Sequence, residues 1–264
     1  MNEIADNKRE YTTELSKGQG AISETLTLLE YWERGMSADE LATEAVERGA
    51  LGRSTETRTR DLVTRVFARR YLVDEGRPAR VLQTLRGQVP LSVLKQFMLV
   101  YTARQHDILH DFITEVYWPK YEAGADQISR SDARSFIEEA HAMGVIDPGW
   151  SETMIVRVAR YLAGTLSDFG FLEDSRKSTR DIQSVRVDRP LVVYLPYEIH
   201  FDGYSDNSIL EHPDWALFGL MQEDIVRRLK QASYDGHFII QYSGELLRLS
   251  WEHESLEECL HAIA

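Results

Sequence analysis

The stretch Ser37–Leu72, SADELATEAVERGALGRSTETRTRDLVTRVFARRYL, admits few folds. Ser37 with Glu40 three residues on has the capping-box spacing of a helix start, and Leu41, Ala45 and Val46 supply a short apolar stripe. Gly49 and Gly52 bracket a turn around Leu51, and Ser54 is placed to cap a second helix. Leu62, Val63, Val66, Phe67 and Tyr71 recur there at helical spacing. The same helix and its entry carry Arg53, Arg58, Arg60, Arg65, Arg69 and Arg70 against Glu56 and Asp61. At roughly 100° per residue, Arg58, Arg65 and Arg69 share one edge. A helix-turn-helix asks for this division, one face for the core and one offering cations to phosphates. A solvated Arg-rich helix of a bundle carries the same pattern.

Charge sets the frame for that arginine cluster. The 264-residue chain has a net charge of −13, yet residues 48–86 hold 10 basic and 4 acidic side chains. Residues 1–47 hold 4 and 11 and residues 191–264 hold 4 and 13, so the basic segment lies between two acidic ends. Exposed charges are screened beyond ~8–10 Å, so a local basic field can meet nucleic acid on an acidic protein. The acidic C-terminal third suits solvent or a basic protein partner.

Further along, Gly20 precedes a helix over Ala21–Arg34 with Ile22, Leu26, Leu29 and Trp32 inward, while residues 1–19 read as polar and loosely held. Gly76 and Pro78 mark a loop, and 91–122 holds two more helical patterns, with Pro119 kinking or ending the second. Gly124–Gln127 reads as a boundary between lobes. A second helix-turn-helix pattern follows, with starts at Ser129/Asp132 and Ser151 and breakers at Gly144, Pro148 and Gly149. The outer face of the Ser151 helix shows Arg157, Arg160 and Gly164. A basic loop (Arg176, Lys177, Arg180) leads to strand-like runs 182–187 and 191–195, the order of a winged helix; an ordinary α+β core has the same order. Residues 238–242 and 247–251 flank Ser243-Gly244-Glu245 as a second hairpin, and Ser255 caps a last helix. The expected fold is mainly α with two small β-hairpins. It has two lobes: 1–123 with the helix-turn-helix-like pair, and 124–264 with winged-helix-like helices and hairpins.

The chemistry looked for is sparse. No phosphate-cradling glycine loop, no GxSxG and no small-molecule site stand out. His106-Asp107-Ile108-Leu109-His110 approaches HExxH but has Asp for the Glu base and no clear third ligand, so no metal or other cofactor is expected. Cys259 lies on the inner stripe of the last helix and reads as packing; a lone cysteine suits a reducing compartment. No export signal is visible, and no apolar run nears the ~20 residues of a membrane helix, so a cytoplasmic chain without a membrane partner is expected.

Several phrases together resemble the BrxA family of the BREX (bacteriophage exclusion) phage-defence systems. They are Glu24-Thr25; Leu51-Gly52 with Ser54 and Arg58; Arg70-Tyr71-Leu72; Asp111-Phe112 with Val116-Tyr117; Trp150-Ser151 leading to Asp168-Phe169-Gly170; and Asp214-Trp215 with Phe218-Gly219-Leu220. The resemblance implies a small accessory protein without catalytic activity, encoded beside a DNA methyltransferase, a phosphatase-like protein and ATPases. It implies double-stranded DNA as a partner, and other BREX proteins such as the methyltransferase. It carries no agreed functional residue. The residues themselves point to a DNA contact through Arg53, Arg58, Arg60, Arg65 and Arg69, with Arg157, Arg160, Lys177 and Arg180 as a second contact. A subunit that docks defence proteins, or an RNA binder like the antitermination protein NusB, remain as alternatives.

Overall fold

In the computed structural model, residues 11–146, 149–175, 177–244 and 246–264 are described. The Pro148 breaker and Arg176 of the basic loop lie outside them. The chain is mainly helical, with two small antiparallel two-stranded sheets. It divides into two compact units. One holds residues up to Pro78 and Tyr101–Ser184, the other Ala79–Val100 and Val185–Ala264. This division differs from the expected break at Gly124–Gln127. Those residues lie inside the first unit, where Gln127–Ser129 pairs with Thr179–Asp181 and Tyr117 stacks edge-on against Phe171, 4.8 Å between ring centres.

In the first unit, helix Ala38–Glu47 starts with the Ser37/Glu40 capping box and packs on the Arg-rich helix. That helix begins at Thr55, whose hydroxyl accepts from the Arg58 N–H, one residue after the expected Ser54 cap. It runs through Glu56–Asp61, a wide π segment Leu62–Phe67, and Ala68–Tyr71. Between the two helices, Gly49 and Gly52 take left-handed φ of 59° and 62°, where a Cβ is strained. Helix Asp107–Phe112 continues through a second π segment, Ile113–Tyr117, into Trp118–Glu122. Pro119 therefore does not end it: the wide turn precedes the proline, which sits in the first turn of the last segment. Pro78 likewise occupies the first turn of helix Arg77–Leu85 rather than a loop.

Ser129 with Asp132 forms a capping box on helix Arg130–Ala142, and Ser151 caps Glu152–Asp168. The pair is the second helix-turn-helix pattern, but no wing follows. Ile182 makes one bridge to Leu172, residues 183–188 are irregular, and the run expected as a strand at 191–195 is helix Arg189–Phe201. Pro190 in its first turn favours helix, and Leu191–Ile199 are buried all round, which accounts for the unbroken apolar run. One of the two expected hairpins is therefore absent, and the short sheet 127–129/179–181 joins segments distant in sequence. The hairpin Phe238–Ser243/Leu246–Trp251 is present, and Ser255 caps Leu256–Ile263.

Candidate nucleic-acid interface

Residues 13–19, part of the stretch 1–19 expected to be loose, form with Gly20 a strap that both basic helices grip. Leu15 is fully buried in a 3-10 turn, Glu14–Lys17, which packs on the π segment of the Arg-rich helix and on Glu152–Asp168. Small residues make the approach possible. A Cβ on Gly18 would lie 2.8 Å from a Val66 methyl, and one on Gly164 would lie 2.6 Å from Gln19 Oε1. Gly164, expected to face outward, is thus covered by the strap. Arg160 and Arg157, four and seven residues earlier, continue the same face into solvent.

The arginines reach this strap from the other side. Arg58 Nη1 donates to the Lys17 carbonyl at 2.6 Å, and Arg69 Nη1 lies 3.2 Å from Glu14 Oε2. Arg60 pairs with Glu56 at 3.0 Å and Arg65 with Asp61 at 3.3 Å, each one turn earlier. All four are exposed, as is Arg53 in the inter-helix turn. Exposed pairs contribute about 0–1 kcal/mol, so an incoming phosphate can take the place of Glu56 on Arg60 and of Asp61 on Arg65. Among the described residues no carboxylate pairs with Arg53, Arg58, Arg157 or Arg160. Arg160 lies over the Tyr161 ring, 5.2 Å from its centre.

The basic loop divides. Lys177 is exposed. Arg180 turns inward, and its Nη1 donates to the Ala163 carbonyl at 3.0 Å and to the Ser167 hydroxyl. Burial first, then Arg130, holds this guanidinium below its ordinary pKa. Arg180 staples strand Thr179–Asp181 to helix Glu152–Asp168, a structural task that periodicity did not suggest.

Arg70 is the residue that the reading of a basic surface misplaced. It is 1% exposed, and its Nη1 donates to the Gly20 carbonyl at 3.3 Å, while Nε and Nη2 have no hydrogen-bond partner. Gly20 N–H donates in turn to Asp168 Oδ2 at 2.9 Å. The signal was present: Thr59, Val63, Val66 and Arg70 recur at i, i+4, i+7 and i+11, and all four are buried. His106 is 5% exposed and sits at the N-cap position of Asp107–Phe112 without a side-chain capping bond; burial, then Arg70 and Arg69, hold its pKa down at about 3. His110 Nδ1 lies 3.2 Å from Asp111 Oδ1. Among the described residues no three His, Cys, Asp or Glu side chains gather as a metal site. Cys259 is fully buried and burial pushes its thiol up to about 12, which makes it a poor nucleophile.

A model of the BrxA family matches residues 9–197, well over half of the chain. The chain belongs to the BrxA family. The match spans both basic helices and the strap between them. No curated protein matches significantly. The crystal structure of an uncharacterized protein from Magnetospirillum magneticum has a similar fold. Its TM-score is 0.60 at 15% identity, over 79% of this chain and 98% of that one. Membership in BrxA suggests a component of BREX phage defence. No helix among the described residues is long and apolar enough to cross a membrane.

Proposed function

We propose that this BrxA-family chain is a DNA-binding accessory component of a BREX-type defence system, cytoplasmic and without catalytic activity of its own. The observation that carries the reading is the strap. One half-buried segment, residues 13–20, anchored by the buried Leu15, packs on the Arg-rich helix on one side and on the Arg157/Arg160 helix on the other, inside one unit. Two cationic helix faces are thereby tied together in a chain whose net charge is −13. An accidental solvated face has no reason to be tied to a second one. Arg53, Arg58, Arg157 and Arg160 would meet phosphates first, Arg60 and Arg65 would exchange their surface carboxylates for them, and Arg69 would add its charge while it stays on Glu14 of the strap. A guanidinium suits this work because it stays charged and grips a phosphate with two hydrogen bonds.

A helix offered to a major groove fits B-form DNA and not the deep, narrow groove of A-form RNA. Duplex DNA and duplex RNA of one sequence should therefore compete unequally for the full chain. Retention of labelled DNA in the presence of excess RNA is the expected gel result. Displacement by RNA at equal or lower concentration would overturn the DNA reading in favour of an RNA binder.

A further inference from the structure

The hairpin of the second unit has one protected edge and one open edge. Leu247 N–H donates to Asn207 Oδ1 at 2.8 Å and Leu249 N–H to Asp206 Oδ2 at 3.0 Å. These amides point away from the partner strand, so the pairs Tyr242–Leu247 and Ile240–Leu249 are the non-hydrogen-bonded pairs of the ladder. It follows that the N–H and C=O groups of Ile240 and Tyr242, and of Phe238 two residues earlier, also point outward, on the far edge. No hydrogen-bond partner meets them among the described residues. Helix Gln222–Ser233 packs against this strand, with Lys230 Nζ 5.7 Å from the centre of the Tyr242 ring, and gives the outward backbone groups no hydrogen bond among the described residues. Proteins blunt open edges with lysine, proline or inward charges, and strand FIIQYS has none of these.

We propose that this edge pairs antiparallel with the same edge of a second copy of the chain. The register is self-complementary about Ile240. Ile240 meets its own copy on the two-fold axis, and Phe238 faces Tyr242, each as a hydrogen-bonded pair. About six ladder bonds form across a four-stranded sheet. Charge favours a second copy over a basic partner strand. The hairpin 238–251 carries only Glu245 and Arg248, so it neither repels itself nor offers a carboxylate row to lysines. Ile239, 66% exposed, then faces Gln241 of the second copy directly and the second copy's Ile239 on the diagonal, on the open face. Growth stops at two copies because Asp206 and Asn207 occupy the opposite edge.

An edge-to-edge pairing of single hairpins is smaller than a standard interface, so the dimer is expected to be concentration-dependent. Sedimentation velocity on the full chain over about 1–100 μM should show a 30.4 kDa species giving way to one of twice that mass. Ile240→Pro removes an outward N–H and spares the hairpin's own ladder, and Ile239→Lys adds an edge charge without touching the core. Each should lower association at least tenfold with an unchanged circular-dichroism spectrum. Ile239→Lys keeps the test decisive should the proline variant misfold. A chain monomeric throughout, oligomers beyond two, or a dimer indifferent to Ile239→Lys would each overturn the proposal.

Discussion

Arg70 and His106 show what burial does to two residues that read as surface chemistry. A guanidinium with one protein hydrogen bond and a histidine without a partner on Nδ1 lie inside the first unit. Such groups are costly unless satisfied, and ordered water is the ordinary remedy. The sign of the pH effect follows from the His106 pKa of about 3. An unfolded histidine titrates near 6.5, so between about 6.5 and 3 the unfolded chain binds one proton more than the folded one. Stability is full above pH 6.5 and falls as the pH is lowered toward 3, by about 1.4 kcal/mol per pH unit. Urea unfolding at pH 7 and pH 5 should differ by about 2 kcal/mol more in the wild type than in His106→Gln. Equal pH slopes would place His106 in contact with solvent. Gly20 makes a second residue-scale claim. A Cβ there would lie 2.5 Å from the Asp168 Cβ, so Gly20→Ala should cost about 1–3 kcal/mol by displacing the carboxylate that caps the Gly20 amide. An unchanged urea midpoint would contradict that contact.

Helix starts were legible because capping is local. Ser37/Glu40, Ser129/Asp132, Ser151 and Ser255 all cap where the side-chain spacing indicates, and Thr55 replaces Ser54 by one position. Ser37→Ala removes the Glu40 amide's acceptor and should lower stability by about 1 kcal/mol, read as a shifted urea midpoint. No shift would mean that the box is not formed in solution. Elements set by tertiary packing were not legible. Leu191-Val192-Val193-Tyr194-Leu195 has the composition of a strand, yet it is a helix buried on every side. Its entry is fixed from far away: Gln96 accepts from the Asp188 N–H and donates to the Asp188 carboxylate, both at 2.8 Å. The two π segments also escape a 100° periodicity. They re-aim the residues beyond them, and Arg58 and Arg69 nonetheless reach one strap from the same side. The strap itself was hidden because Glu14, Lys17 and Gln19 are polar by composition. Only Leu15 and the two small positions Gly18 and Gly20 hint at close packing.

Across the whole molecule, charge and family agree on where to look. The acidic balance of residues 191–264 falls in the second unit, and the basic segment 48–86 lies largely in the first. A model of the BrxA family covers that first unit's basic helices, and the open hairpin edge lies beyond the matched residues. The central claim is that the two strapped helices bind duplex DNA through phosphates. Each phosphate neutralised releases counterions and contributes about −0.9 to the slope of log K against log salt. The variant Arg65→Ala/Arg157→Ala takes one exposed cation from each helix, and neither side chain supports the strap. The decisive measurement is the salt dependence of binding to unrelated duplex sequences, for the full chain and for this double variant. The account predicts weaker binding by similar factors on every sequence, a slope flattened by about two, and an unchanged urea midpoint. A folded double variant that binds as tightly as the parent at every salt concentration would contradict it.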